Sequence, residues 1–126
     1  MGNILIADDD KTCRDSMRRV LERDGHVVWV AEDVDRALGE LDVVSFDLIV
    51  CDYRMPGKTG IDFLVELEKL RSRVPVLMIS AYADAATTDT ALQLGALAVL
   101  NKPVRRKELI ARAAEAMGRA AGACVL

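Results

Sequence analysis

Five short apolar runs, each closed by a polar residue or a turn, alternate along this chain with segments whose apolar residues recur every three or four positions. The runs are Asn3–Ala7, His26–Ala31, Asp47–Cys51, Pro75–Ser80 and Ala98–Asn101. Runs this short and this continuously apolar suit strands buried on both faces. Between them the spacing predicts helices. Lys11–Asp24 carries Cys13, Met17, Val20 and Leu21 on one stripe and is stopped by Gly25. Asp33 can cap a helix bearing Val34, Ala37, Leu38 and Leu41, and Thr59 one bearing Ile61, Leu64, Leu67 and Leu70. Ala86–Leu94 is a weaker helix closed by Gly95, and Arg105–Met117 is the last, with Leu109, Ile110, Ala113 and Met117 facing inward. Strand–helix alternation of this kind predicts right-handed crossovers and a doubly wound α/β fold, a parallel sheet with helices on both faces.

The chain has 126 residues, 52% of them apolar, enough for one domain with one core. A net charge of −3 gives no basic surface for nucleic-acid phosphates, and no apolar run is long enough to span a membrane. Three cysteines without regular spacing make neither a disulfide framework nor a zinc site, which fits a reducing cytoplasm. Cys13 and Cys51 read as small core residues, and Cys124, third from the end, does not make a prenylation box. Residues 1–119 are expected to form the domain and 120–126 a disordered tail.

In a parallel doubly wound sheet, ligands bind beyond the carboxyl ends of the strands. Here the first strand ends in Asp8-Asp9-Asp10, the third in Asp52 and the fourth in Ser80, while Lys102-Pro103 follows the fifth. Two carboxylates ~4 Å apart repel by about 4 kcal/mol at an effective dielectric of 20. Either one takes up a proton or a cation sits among them. Few, hard oxygen ligands open to solvent suit Mg²⁺, with Mn²⁺ as substitute, leaving positions for phosphate oxygens. Lys102 and the Ser80 hydroxyl would serve other oxygens of the same group. This is a phosphoryl-transfer arrangement in which a carboxylate can be the nucleophile. Singly, each residue has a blander use: Asp10 as a helix cap, Ser80 as a turn hydroxyl, Lys102 as a surface charge. Their joint placement at four strand ends carries the argument.

Gly57-Lys58-Thr59 imitates the end of a phosphate-binding P-loop, but that loop needs a glycine where this chain has Asp52. The three residues are therefore loop and helix cap, with Gly60 permitting a tight approach.

At these positions the chain resembles the receiver (CheY-like) domain of bacterial two-component response regulators, over roughly Asn3 to Met117. ILIADDD looks like the first strand with its acidic pair, DLIVCDYRMPGKTG like the acceptor strand and its loop, VLMISA like the hydroxyl-bearing strand, and LNKP like the lysine-proline turn. The resemblance implies a flavodoxin-like fold with strand order 2-1-3-4-5. It implies Asp52 as phosphoacceptor, and Mg²⁺ held by Asp9, Asp52 and the backbone carbonyl of Arg54, with Asp8 helping through water. Ser80 and Lys102 would bind the phosphoryl group, and the bond before Pro103 would be cis. The implied partners are a sensor histidine kinase or phosphotransfer protein and an output domain or partner at the 83–117 face; a second copy of the chain is a further candidate. The family's aromatic switch has its place at Val99, which has no ring, so Ser80 and the loop Ala81–Thr88, with Tyr82, are expected to carry the switch instead. Arg54 and Tyr82 flank the expected phosphoryl position.

Two other readings compete. Asp8-x-Asp10-x-Thr12 after a strand fits the opening motif of haloacid-dehalogenase-like phosphatases, but the later acidic pair of that family is absent and Asp52 would have no role. The other is a receiver-like interaction module that is never phosphorylated, which Val99 favours mildly and the acidic pair, Asp52, Ser80 and Lys102 disfavour. Neither the chosen reading nor the module turns over an external substrate.

Overall fold

A computed structural model describes residues 2–125, with side-chain surroundings through Gly118. Five strands and five helices alternate: β1 Asn3–Ala7, α1 Lys11–Arg23, β2 Val27–Ala31, α2 Val34–Leu41, β3 Leu48–Asp52, α3 Gly60–Lys69, β4 Val76–Ser80, α4 Ala85–Gln93, β5 Ala98–Asn101 and α5 Arg106–Val125. All strand pairs are parallel, in the order β2-β1-β3-β4-β5. The expected doubly wound, flavodoxin-like fold is the one found.

Strand side chains alternate between two buried layers. Leu5, Ala7, Ile49, Cys51, Val76 and Met78 pack under α2, α3 and α4. Ile4, Ile6, Leu48, Val50, Leu77 and Ile79 pack under α1 and α5 through Met17, Leu21, Leu109, Ala113 and Ala116. Every residue of β3 and β4 is buried, which is why both read as unbroken apolar runs.

The helix starts follow from their caps. Asp10 accepts from the Thr12 and Cys13 amides, Asp33 from Arg36, and Asp84 from Thr87. Thr59 and Asp62 close a reciprocal capping box on α3. Three expectations need correction. Phe63, not Ile61, is the fully buried anchor at the start of α3, and Leu70, beyond the end of that helix, is 60% exposed. Cys13 is only half-buried. Finally, α5 does not stop where its inward stripe stops at Met117; the helix continues to Val125, as the alanines of that segment favour.

Register sets the geometry of the strand ends. Ala7 pairs with Cys51, so Asp8 lies level with Asp52. Asp52 pairs with Ile79 and Ser80 with Asn101, so Ser80 and then Lys102 lie one step further out.

Candidate functional site

The four strand ends meet around one ammonium group. Lys102 Nζ lies 2.9 Å from Asp52 Oδ2 and 3.1 Å from Asp8 Oδ2. Its backbone N–H donates to the Ser80 carbonyl at 3.0 Å, and the Lys102–Pro103 peptide is cis. Asp8 is fully buried, while Asp52 and Ser80 are 6% and 2% exposed. Asp9 is exposed beside them. Asp8, Asp9, Asp52, Ser80 and Lys102, separated by up to 94 positions in the chain (102 − 8), thus converge as the strand-end reading expected.

Asp8 is fixed at nearly every polar atom. Its N–H donates to the Ala31 carbonyl at 3.0 Å, and Oδ1 accepts from the Asp10 N–H at 2.9 Å. Its carbonyl accepts from Arg14 Nη1 at 2.8 Å. Oδ2, buried and facing Lys102, has the ammonium nearby but no hydrogen bond of good geometry. Asp52 is held less: Oδ1 receives a long 3.4 Å contact from the Arg54 N–H, and Oδ2 receives Lys102.

Two carboxylates sharing one cation leave an excess of negative charge. Burial pushes the Asp52 carboxyl up, the Lys102 bond opposes this, the Asp8 charge adds to it, and the outcome is about 6. Burial works against the Lys102 ammonium, but its bond to Asp52 and the charges of Asp8 and Asp52 outweigh that and push it up. The Cys13 thiol borders the same acids: burial and a bond to Asp8 push it up to about 12, so it stays a neutral thiol. Sequence reading took Cys13 for core and left Arg14 unremarked; only the position of both near Asp8 on the first turn of α1 could have signalled them.

Arrangements like this fit a divalent cation. One oxygen from each of Asp8, Asp9 and Asp52 lies within 4.8 Å of the others. Hard carboxylate oxygens this close together, one of them on the exposed Asp9, are the donor type that Mg²⁺ takes. Two of the carboxylates would hold it directly and the third through water. The buried Asp8 Oδ2, paired with Lys102 at 3.1 Å but without a well-aligned hydrogen bond, could accept from such a water.

On the outer side, Ser80 Oγ accepts from the Tyr82 N–H at 3.1 Å. The Arg54 guanidinium lies over the Tyr82 ring at 5.4 Å from its centroid, linking the loops after β3 and β4. Tyr82 is 74% exposed. Val99 packs half-buried against the layer under α2–α4.

The excess charge makes a testable statement about stability. A buried carboxyl raised to about 6, against ~3.9 in an unfolded chain, favours the fold in its neutral form. That contribution is full below pH ~4 and is lost as pH rises through about 6. Asp52→Asn, which removes the charge and leaves Lys102 to Asp8, is therefore expected to melt about 3–8 °C higher than wild type at pH 7.5 without divalent ions. The gap should close near pH 4. Equal melting temperatures across that range would contradict the charge assignment.

Comparison with known proteins gives one answer. The family model described as the response regulator receiver domain matches residues 4–114. The transcriptional regulatory protein FixJ of Bradyrhizobium diazoefficiens is 34% identical over 119 residues, covering 94% of this chain and 58% of its own length. CpxR of Escherichia coli, also a transcriptional regulatory protein, is 39% identical over 112 residues, covering 89% of this chain and 47% of its own. The chain thus spans about half the length of these curated relatives. Among solved structures, the receiver domain of Francisella response regulator 1452 superimposes with a TM-score of 0.90 at 32% identity, covering 95% of this chain and 99% of that one. A CheY-like receiver domain protein from Methanospirillum hungatei gives 0.89 at 29% identity, covering 94% and 95%.

Proposed function

This chain belongs to the response regulator receiver domain family, and from that premise we propose that Asp52 accepts a phosphoryl group from a phosphohistidine donor and that the acyl phosphate biases the domain between two conformations. The observation that carries the reading is the Lys102 ammonium, which lies within 3.1 Å of both Asp52 and Asp8 at the carboxyl end of the sheet.

The transfer follows from the residues at hand. Asp52, ionised, attacks phosphorus through a carboxylate oxygen; the P–N bond of the donor breaks as the P–O bond forms, and the imidazole leaves with its electron pair. Lys102 turns from Asp52 toward a phosphoryl oxygen, keeping its contact with Asp8 and stabilising charge that spreads over the equatorial oxygens. Ser80 donates its hydroxyl hydrogen to another oxygen. Asp9 and Asp52, with the Arg54 carbonyl and Asp8 through water, would hold Mg²⁺, which supplies neutralisation of the acidic cluster and of the incoming phosphate. Water later hydrolyses the acyl phosphate and restores the carboxylate.

Intact-protein mass after incubation with acetyl phosphate tests this. Wild type should gain one phosphoryl group readily in the presence of Mg²⁺ and far more slowly in its absence, and Asp52→Asn should gain none. Without the metal, any residual reaction should fall off below pH about 6, where Asp52 takes up its proton. No adduct, or one indifferent to Asp52, would shift the reading to an unphosphorylated interaction module. A dehalogenase-like phosphatase is disfavoured because Asp10, its required second acid, is engaged in capping α1.

Switching to the extent of 1:99 to 99:1 requires about 5.5 kcal/mol of differential stabilisation. Charge-assisted bonds at Ser80 and Lys102, each about 1.5–3 kcal/mol, are of that order. With Val99 in the aromatic's place, the response passes through Ser80 to Tyr82, whose N–H it already holds. Tyr82→Ala removes an exposed cation–π contact of about 0.5–1 kcal/mol, and so should shift the conformational ratio of the phosphorylated chain about two- to fivefold. NMR relaxation dispersion of residues 81–88 reads that ratio, and identical populations in both proteins would remove Tyr82 from the switch. The face running from α4 through β5 to α5, within residues 83–117, is the output surface of this reading, toward an output domain or partner. A cytoplasmic location belongs to the same reading; among the described residues, no helix is long and apolar enough to cross a membrane.

A further inference from the structure

We propose that Arg14 is a positioning residue for the divalent-cation site, acting through the backbone of Asp8 rather than by touching metal or phosphate. This inference rests on the reading of Asp8, Asp9 and Asp52 as that site.

Asp9 is the exposed member of the acidic trio and has the least to fix it. It lies between the end of β1 at Ala7 and the start of α1 at Lys11, outside both hydrogen-bonded elements. Its carboxylate starts from a Cα whose place depends on the Asp8–Asp9 peptide plane. Among the described residues, that peptide unit has one hydrogen-bond partner: Arg14 Nη1, donating to the Asp8 carbonyl at 2.8 Å. The donor is a cation on the first turns of α1, half-buried and reaching back six residues. Its own helix is anchored by the Asp10 cap, so the chain from Asp8 to Arg14 closes into a small, rigid loop with Asp9 at its outer bend. The opposite side of Arg14 borders an open groove of about 340 Å³ along the β2 edge, shared with Glu32, Arg36 and Glu40. Among the described residues no ion pair ties Arg14 to either glutamate; its close polar partner is the Asp8 carbonyl.

Such a bond acts on metal affinity, since partners that orient ligands without touching the ion typically change affinity 10- to 100-fold when removed. Arg14→Ala is therefore expected to raise the Mg²⁺ dissociation constant of the unphosphorylated protein about tenfold or more, measured by calorimetry at pH 7.5. Arg14→Lys, which keeps a cationic donor, should recover most of that loss. In phosphorylation from acetyl phosphate, the Mg²⁺ concentration giving half the limiting rate should rise by the same factor, with a much smaller fall in the limiting rate itself. Arg19→Ala, an exposed change on the same helix, is the control for loss of positive charge.

A dissociation constant within twofold of wild type in Arg14→Ala, with only the melting temperature lowered, would overturn the proposal and leave Arg14 a structural residue. So would a fall confined to the limiting rate, or an equal loss in Arg19→Ala. Should Arg14→Ala fail to fold, Arg14→Gln and Arg14→Lys carry the same comparison: graded weakening supports the proposal, and unchanged affinity in both overturns it. Wild type that binds no Mg²⁺ would instead overturn the reading of the site, and this inference with it.

Discussion

Lys102→Met is expected to remove nearly all phosphorylation and to destabilise the metal-free protein by about 3 kcal/mol at pH 7.5, the low end of the cost of leaving a buried charge unpaired. Methionine keeps the length of the apolar stem and deletes the ammonium that Asp52 and Asp8 share at 2.9 and 3.1 Å. Both carboxylates are buried and would then face each other without a cation. One of them should respond by keeping a proton, which is why the lower figure is chosen over a full 5 kcal/mol. For a chain of this length the loss corresponds to about 10 °C in melting temperature. Three conditions should restore much of it: lowering the pH to 5, adding Mg²⁺, or combining the change with Asp52→Asn. The last makes a double-mutant cycle in which the second substitution repairs the first, a sign of direct coupling. On rate, losing a fixed charge aimed at the transferring group costs roughly 10²–10³-fold. Melting curves at pH 7.5 and 5, with and without Mg²⁺, decide the matter. A loss of stability equal at both pH values and indifferent to the metal would mean that Lys102 supports the fold by packing alone.

Gly60→Ala is expected to be nearly as damaging, although it adds only one methyl group and removes no charge. A Cβ there would lie 2.7 Å from the Asp52 carbonyl oxygen and 3.1 Å from Tyr53 Cα, both backbone atoms, and 3.0 Å from Met78 Cε. Met78 can turn aside; the backbone cannot. Gly60 also donates its N–H to the Tyr53 carbonyl at 2.7 Å, so α3 starts by docking directly on the strand end that holds Asp52. Relief requires either α3 or the Asp52–Tyr53 peptide to move. Overpacking of this kind costs about 1–3 kcal/mol, and the upper part of that range applies where backbone must yield. Because the displaced peptide belongs to Asp52, phosphorylation should fall about tenfold or more even at temperatures where the variant is folded. Gly57 is the contrast. It has φ +81° and open space around its Cβ position, so Gly57→Ala meets only the left-handed backbone penalty of roughly 1–2 kcal/mol and should leave the reaction nearly untouched. Urea titration and initial rates for the pair provide the test. Gly60→Ala unfolding together with wild type would show that α3 has room to slide.

Residues that end an apolar run were the ones open to reading in advance. Asp52, Ser80 and the Asp8–Asp9 pair stand where a buried strand gives way to polar chain, and parallel pairing without slippage carries that linear fact into space. Asp10, Asp33 and Thr59 were legible as caps because a short oxygen side chain ahead of a helical stripe has few other uses. Other features were not. Arg14 is one of several arginines on α1, and nothing in periodicity says which of them turns back onto a carbonyl. Cys13 has the spacing of a core residue, yet the helix faces it toward Asp8 rather than fully under the sheet. Leu70 continues the α3 stripe in sequence, but the helix ends at Lys69 and carries it into solvent. Helical spacing describes a face only while the helix lasts. In α5 the reverse occurs, since helix propensity outlasts the inward stripe.

β3 is buried over its whole length, and it lies at the centre of the sheet with paired neighbours on both sides. On the proposed reading, covalent modification of its last residue would therefore fall in a fully buried strand paired on both sides, the kind of segment whose opening to solvent costs most. Across the site, α4 buries only Ala91, and the loop before it shows Tyr82 to solvent. That reading thus places chemistry in the packed centre of the sheet and response in a lightly buried helix and an exposed loop. An anvil holds the event while a spring registers it. Substitutions in the spring can retune how strongly the event is heard without changing how it is made, so a domain built this way can be fitted to new listeners while its reaction stays the same.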